Sequence, residues 1–158
     1  MSGPYLLLKT IHVLSATVLF GTGLGTAFHM WLAHRTGDPR IIAAAARSVV
    51  LADCLFTTPA VIVQPLSGAA LIWLSGSDPS APWLVAAYAL YVLTGACWLP
   101  VVALQIKVWH LAQAALMAGR PLPPDYHRCM RLWLALGCPA FAAVLAIFWL
   151  MVVRPQLG

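Results

Sequence analysis

The feature that most constrains this chain is the fourfold recurrence of a long apolar run. The runs cover about Tyr5–Trp31, Val49–Leu74, Trp83–Gln105 and Leu132–Val153. A helix needs about 20 residues to cross the roughly 30 Å hydrocarbon core of a bilayer, and each run is that long. Only 8% of the residues are charged, against about 25% in an ordinary soluble domain. Backbone polar groups find no water in hydrocarbon, so a spanning segment must satisfy them inside a helix. The expected fold is all-α: an integral membrane protein, one domain over residues 1–158, built as a bundle of four transmembrane helices. The first run is not expected to be a secretory signal, because it lacks a basic start and its apolar stretch is too long.

Charge placement orients the bundle. Arg35, Arg40 and Arg47 flank the first connection, and Lys107, Arg120, Arg128 and Arg131 flank the third. Together they are seven of the nine basic residues, while the second connection, Ser75–Pro82, has none. Lys/Arg-rich loops stay in the cytoplasm. Both termini are therefore expected on the non-cytoplasmic side of a bacterial inner (plasma) membrane. The net charge of +5 reads as topology, and no nucleic-acid partner is expected; the lipid bilayer is the surrounding medium.

Local signals divide the chain further. Gly37-Asp38-Pro39 reads as a turn after a first helix ending near His34, with Asp38 as N-cap and Pro39 as the first residue of the next helix. The helical patterns Arg40–Trp73 and Trp83–Met117 are longer than one span needs; the first is expected to project into the cytoplasm or to start with a separate short helix, and the two projections to pack together as a cytoplasmic stub. Gly119-Arg120-Pro121-Leu122-Pro123-Pro124 is a break. Pro59, Pro65, Pro100 and Pro139 interrupt spans, and each frees a backbone carbonyl that needs another partner. Cys54, Cys97, Cys129 and Cys138 form no CxxC pair, so neither a disulfide framework nor a zinc site is expected.

Chemistry is expected on the first helix. At about 100° per residue, one side collects Tyr5, Lys9, His12, Ser15, Ala16, Leu19, Thr22, Gly23, Thr26 and His29. The opposite side collects Val13, Leu14, Val18, Phe20, Leu24 and Phe28, which suits lipid. The small and polar side should face the bundle and carry His12 inward. A buried imidazole is costly without a partner, and in its neutral form it can ligate a metal or haem iron or relay a proton. Lys9 lies one turn nearer the outside and can snorkel to the interface. Gln64 and Tyr91 fall at a similar depth, and Trp98 lies beside Pro100 within the third span. The glycines of Gly21-Thr22-Gly23-Leu24-Gly25 follow no strand, so a nucleotide loop is excluded; Gly21 and Gly25 read instead as a GxxxG helix-packing pair.

Two stretches carry a family resemblance: Lys9-Thr10-Ile11-His12 with a span ending in Ala33-His34-Arg35, and Met130-Arg131-Leu132-Trp133 with Pro139 and Val152-Val153-Arg154-Pro155. They resemble the small bacterial membrane proteins grouped around HemJ-type protoporphyrinogen oxidases and the copper-resistance protein CopD. Nearly the whole chain also resembles a bacterial family of predicted integral membrane proteins of unknown function, through Thr57-Thr58-Pro59, Gln64-Pro65, Cys97-Trp98-Leu99-Pro100 and Tyr126-His127-Arg128. The HemJ-type resemblance implies a b-type haem ligated through the residue matching His12. The third span departs from that pattern: HemJ-type proteins have a lysine early in this helix, and Trp98-Leu99-Pro100-Val101-Val102 has none.

The resulting expectation is a haem b-binding inner-membrane protein with an electron-transfer or oxidoreductase role, exchanging electrons with quinone or a redox partner protein. His12 is the expected metal ligand, and Gln64 is expected to orient it or to meet a ligand. Lys9, Trp98 and Arg131 complete the expected cofactor-binding set, with Arg131 balancing a propionate. Two alternatives stay open: CopD-like copper or proton handling at His12, and a non-catalytic subunit that docks an oxidoreductase through the stub. Enzymatic activity and homo-oligomerisation are also left open.

Overall fold

A computed structural model describes residues 3–155. They contain no strand, and four helical segments are long and apolar enough to cross a membrane. Helix α1 covers Gly3–Thr36. The second segment consists of α2 (Pro39–Ala52), a π turn (Asp53–Thr57) and α3 (Thr58–Ser75). Helices α4 (Pro82–Ala118) and α5 (Pro124–Val153) complete the chain. With four crossings, the first described residue and the last lie at one end of the bundle, the terminal end. The turns at 37–38 and 119–123 lie at the other, the basic end.

The turns follow from local chemistry. Asp38 caps α2, its carboxylate accepting from the Arg40 N–H at 2.8 Å, and Pro39 opens the helix, as expected. Gly119 ends α4 at φ 59°, a left-handed conformation that costs glycine little, and its N–H reaches the Leu116 carbonyl at 3.2 Å.

The π turn has a cause in the sequence. Pro59 has no N–H to give the helix ladder, and its ring crowds the carbonyl four residues back. The ladder widens just before it, so that the Thr58 N–H and hydroxyl both reach the Asp53 carbonyl, the hydroxyl at 2.9 Å. Pro65 acts the same way on the Val61 carbonyl, which accepts instead from the Tyr91 hydroxyl of α4.

Packing is concentrated at the basic end. Ile42, Ala43, Ala45, Ala46 and Val49 of α2 pack with Val108 and Ala112 of α4 and with Tyr126, Cys129, Met130 and Trp133 of α5. The projections of the second and third segments therefore pack together as expected. Tyr126 is fully buried, and its hydroxyl lies 2.8 Å from Nδ1 of His34. Toward the terminal end the helices form two pairs, α1 on α3 and α4 on α5. Tyr91 and an aromatic cluster link the pairs.

Three expectations change. Phe20 does not face lipid: its ring stacks on Phe141 of α5 at 5.0 Å and meets Phe148 at 5.5 Å. Gly21 and Gly25 pack against no other helix among the described residues, since a side-chain carbon at either would meet no atom of another helix within 4 Å. The first helix also buries no residue before Met30, so its small and polar side is half-covered rather than enclosed.

Candidate functional site

The α1–α3 seam is held by polar bonds rather than by apolar bulk. The Ser15 hydroxyl donates to the Ala60 carbonyl at 3.2 Å. One turn nearer the terminal end, Nε2 of Gln64 donates to the His12 carbonyl at 3.2 Å. Next, Nδ1 of His12 meets the Ser67 hydroxyl at 2.8 Å. Ser67 is buried, while His12 and Gln64 are half-buried. Gly68 gives the imidazole its place: a side-chain carbon there would lie 3.4 Å from Cε1 of His12.

The tautomer follows from the partners. The Ser67 hydroxyl also lies 2.6 Å from the Val63 carbonyl, which can only accept. Its single proton goes there, so His12 donates from Nδ1. The unprotonated Nε2 is then the free lone pair, the form in which an imidazole ligates a metal. Ligating histidines are commonly held this way, with the other ring nitrogen donating to a fixed acceptor.

The other expected site residues divide by depth. Lys9 is exposed on the same helix, three residues nearer the terminal end. Tyr91 is at the His12 depth but bonds the Val61 carbonyl, not the imidazole. Trp98 is half-buried, and its Nε1 finds no hydrogen-bond partner among the described residues. At 1.5 Å per residue it lies about 10 Å deeper than His12. Arg131 is exposed on α5 near the basic end, about 20 Å from His12 along the axis. The fold thus joins His12 with Gln64 and leaves Arg131 in the other half of the molecule. It adds Ser67 and Gly68, which sequence reasoning missed. Their only signal was a small, polar pair one turn from Gln64 in an otherwise apolar run.

A second polar group lies deeper. Asp53, Thr57 and Gln105 are all buried. The Thr57 hydroxyl donates to the Asp53 carboxyl at 2.7 Å, and the Gln105 side chain of α4 lies against the same carboxyl. Gln105 and Trp133 border a cavity of about 10 Å³ otherwise lined by aliphatic and methionine side chains, a size that holds about one water, and Oε1 of Gln105 and Nε1 of Trp133 are both buried without a hydrogen-bond partner among the described residues. Among the described residues, no three His, Cys, Asp or Glu side chains come together as a metal-ligand group. Cys54 and Cys138 are exposed, and Cys97 and Cys129 are buried as free thiols.

The family described as "Predicted integral membrane protein (DUF2269)" matches residues 6–155. No curated protein and no solved structure matches the chain. The likeness to HemJ-type and CopD proteins gains no support from these comparisons. A multi-pass bundle of apolar helices, matched from its first span to its last, belongs to the DUF2269 family of predicted integral membrane proteins.

Proposed function

We propose that this chain is a haem b-binding protein of the bacterial inner membrane, passing electrons between quinone or a redox partner protein and its cofactor. The observation that carries the proposal is the His12 imidazole, with Nδ1 committed to Ser67 and Nε2 left as a lone pair. A haem brings four of its own iron ligands and asks the protein for one or two. A copper centre built from His, Cys, Asp and Glu side chains needs a group that the described residues do not contain.

The residues present fit a single axial ligation. His12 would hold the iron, and the group when bound would supply one-electron chemistry. Ser67 fixes the ring tautomer, and Gly68 leaves room for the ring. Gln64 ties the His12 backbone to α3. Lys9, on the same helix one turn toward the membrane surface, is the cation that would meet a propionate there; Arg131 lies too far away for that role.

Protein purified after expression with haem supply should show a Soret band and a sharp α-band on reduction. His12→Ala should remove both while the helical content stays. A colourless preparation that stays colourless when haem is added overturns the proposal.

A further inference from the structure

The second polar group makes an argument of its own, at a site about 20 Å from His12 along the axis. Asp53 is 5% exposed and Gln105 7%. The groups on Asp53 are the Thr57 hydroxyl and the Gln105 amide, both neutral. The charged side chains on the helices around the π turn are exposed: Lys9 and Arg35 of α1, Arg40 and Arg47 of α2, and Lys107 of α4; His29, His110 and Cys54 of the turn itself are exposed too. His34 is engaged with Tyr126, and α3 has no charged residue. An ionised carboxylate buried without a cation is strongly disfavoured and takes up a proton instead.

Gln105 gives the independent observation. Its Oε1 is buried and finds no donor among the described residues. A carboxylate only accepts, so it can satisfy the amide N–H but never Oε1. A carboxylic acid is complementary to a primary amide on both sides: the acid O–H donates to the amide oxygen, and the amide N–H donates to the acid carbonyl. One proton on Asp53 removes both deficits, the uncompensated charge and the orphaned oxygen. Asp53 opens the π turn, and such turns are frequent at functional sites.

We propose that Asp53, Thr57 and Gln105 form an internal proton-binding site in which Asp53 is the uncharged acid at neutral pH and donates to Oε1 of Gln105. Uptake of one proton forms the Asp53 O–H bond, and release leaves the carboxylate facing the two neutral donors.

The chain makes the test clean, because its only acidic side chains are Asp38, Asp53, Asp78 and Asp125. Asp38, Asp78 and Asp125 are exposed. Aspartate carboxyl carbons labelled with carbon-13 in the full chain, held in nanodiscs, give four side-chain signals. At neutral pH three should sit at the carboxylate position and one at the protonated position. Asp53→Asn should fold, since an amide pairs with an amide on both sides, and should remove only the protonated signal. Infrared spectra of the unsubstituted protein make the same reading without a variant: a protonated-acid carbonyl band at neutral pH, shifted by deuterium oxide. Four carboxylate signals and no such band overturn the proposal. A protonated signal that moves when sodium or potassium is exchanged for a bulky organic cation also overturns it, in favour of a metal-cation site.

Discussion

The two ends of this bundle are built on different principles. At the basic end α2, α4 and α5 interdigitate aliphatic and aromatic side chains around Tyr126, Ile42 and Val108. At the terminal end α1 lies on α3 through Ser15, His12, Gln64 and Ser67, and no residue of α1 is buried before Met30. Apolar packing fills space and resists change, because truncation leaves a cavity that the surroundings cannot fully close. A seam of a few hydrogen bonds is weaker: interhelical bonds in membranes contribute about 0.6 kcal/mol on average and at most about 1.7. The basic end is the clamp, and the terminal end, where His12 sits, is the more weakly joined half.

The comparison can be broken most easily at Tyr126. Tyr126→Ala should destabilise the protein by about 3–5 kcal/mol, the usual cost of truncating a buried aromatic. Leu66→Ala on α3, 66% exposed, should cost less than about 0.5 kcal/mol. Unfolding of both variants in the same detergent measures the contrast, and equal losses would refute a division into clamp and seam.

Gly68→Val is the next largest. The first carbon of a side chain fits at 3.4 Å from His12, but branched methyl groups crowd the ring, and overpacking costs about 1–3 kcal/mol. The loss should be accompanied by weaker haem absorbance.

Ser67→Ala removes the acceptor for Nδ1 of His12 and should cost about 0.6–1.7 kcal/mol. Its sharper readout is a shift in the reduction potential of bound haem, since the tautomer is no longer fixed. Ser15→Ala removes a seam bond of the same kind without touching the imidazole and should leave that potential unchanged.

The smallest effect is in the loop between α3 and α4. Hydrogen bonds from the Ser80 hydroxyl and backbone N–H hold the Asp78 carboxyl below its usual range. A depressed folded-state value adds stability above the ordinary carboxylate range, and that stability is lost as pH falls through the depressed value. Asp78→Asn should lower neutral-pH stability slightly, flatten the acid limb of the stability–pH curve and leave stability below the depressed range unchanged.

The sequence carried the number of crossings and the packing of the two projections, but neither the core residues of the clamp nor the bonds of the seam. Four apolar runs set the number of crossings because hydrocarbon admits only internally bonded backbone. Asp38 and Pro39 marked the start of the second segment because capping is local. The length of the Arg40–Trp73 pattern told of a segment longer than one span. Which helix His12 meets is a tertiary fact, and no periodicity within α1 identifies Ser67. Phe20 went to the wrong face because half-covered helices tolerate an aromatic on either side when a partner ring such as Phe141 is near. The π turn had a signal in Pro59 behind Asp53, Thr57 and Thr58, and its consequence, a carboxyl set against Gln105, required the packing of α4.

The central claim is that the terminal-end seam presents Nε2 of His12 to a haem. The most direct measurement is the absorbance spectrum of the purified protein, oxidised and reduced, beside that of His12→Ala. The account predicts a Soret band and a sharp reduced α-band in the first and neither in the second. A spectrum without haem in both, unchanged by added haem, would contradict it.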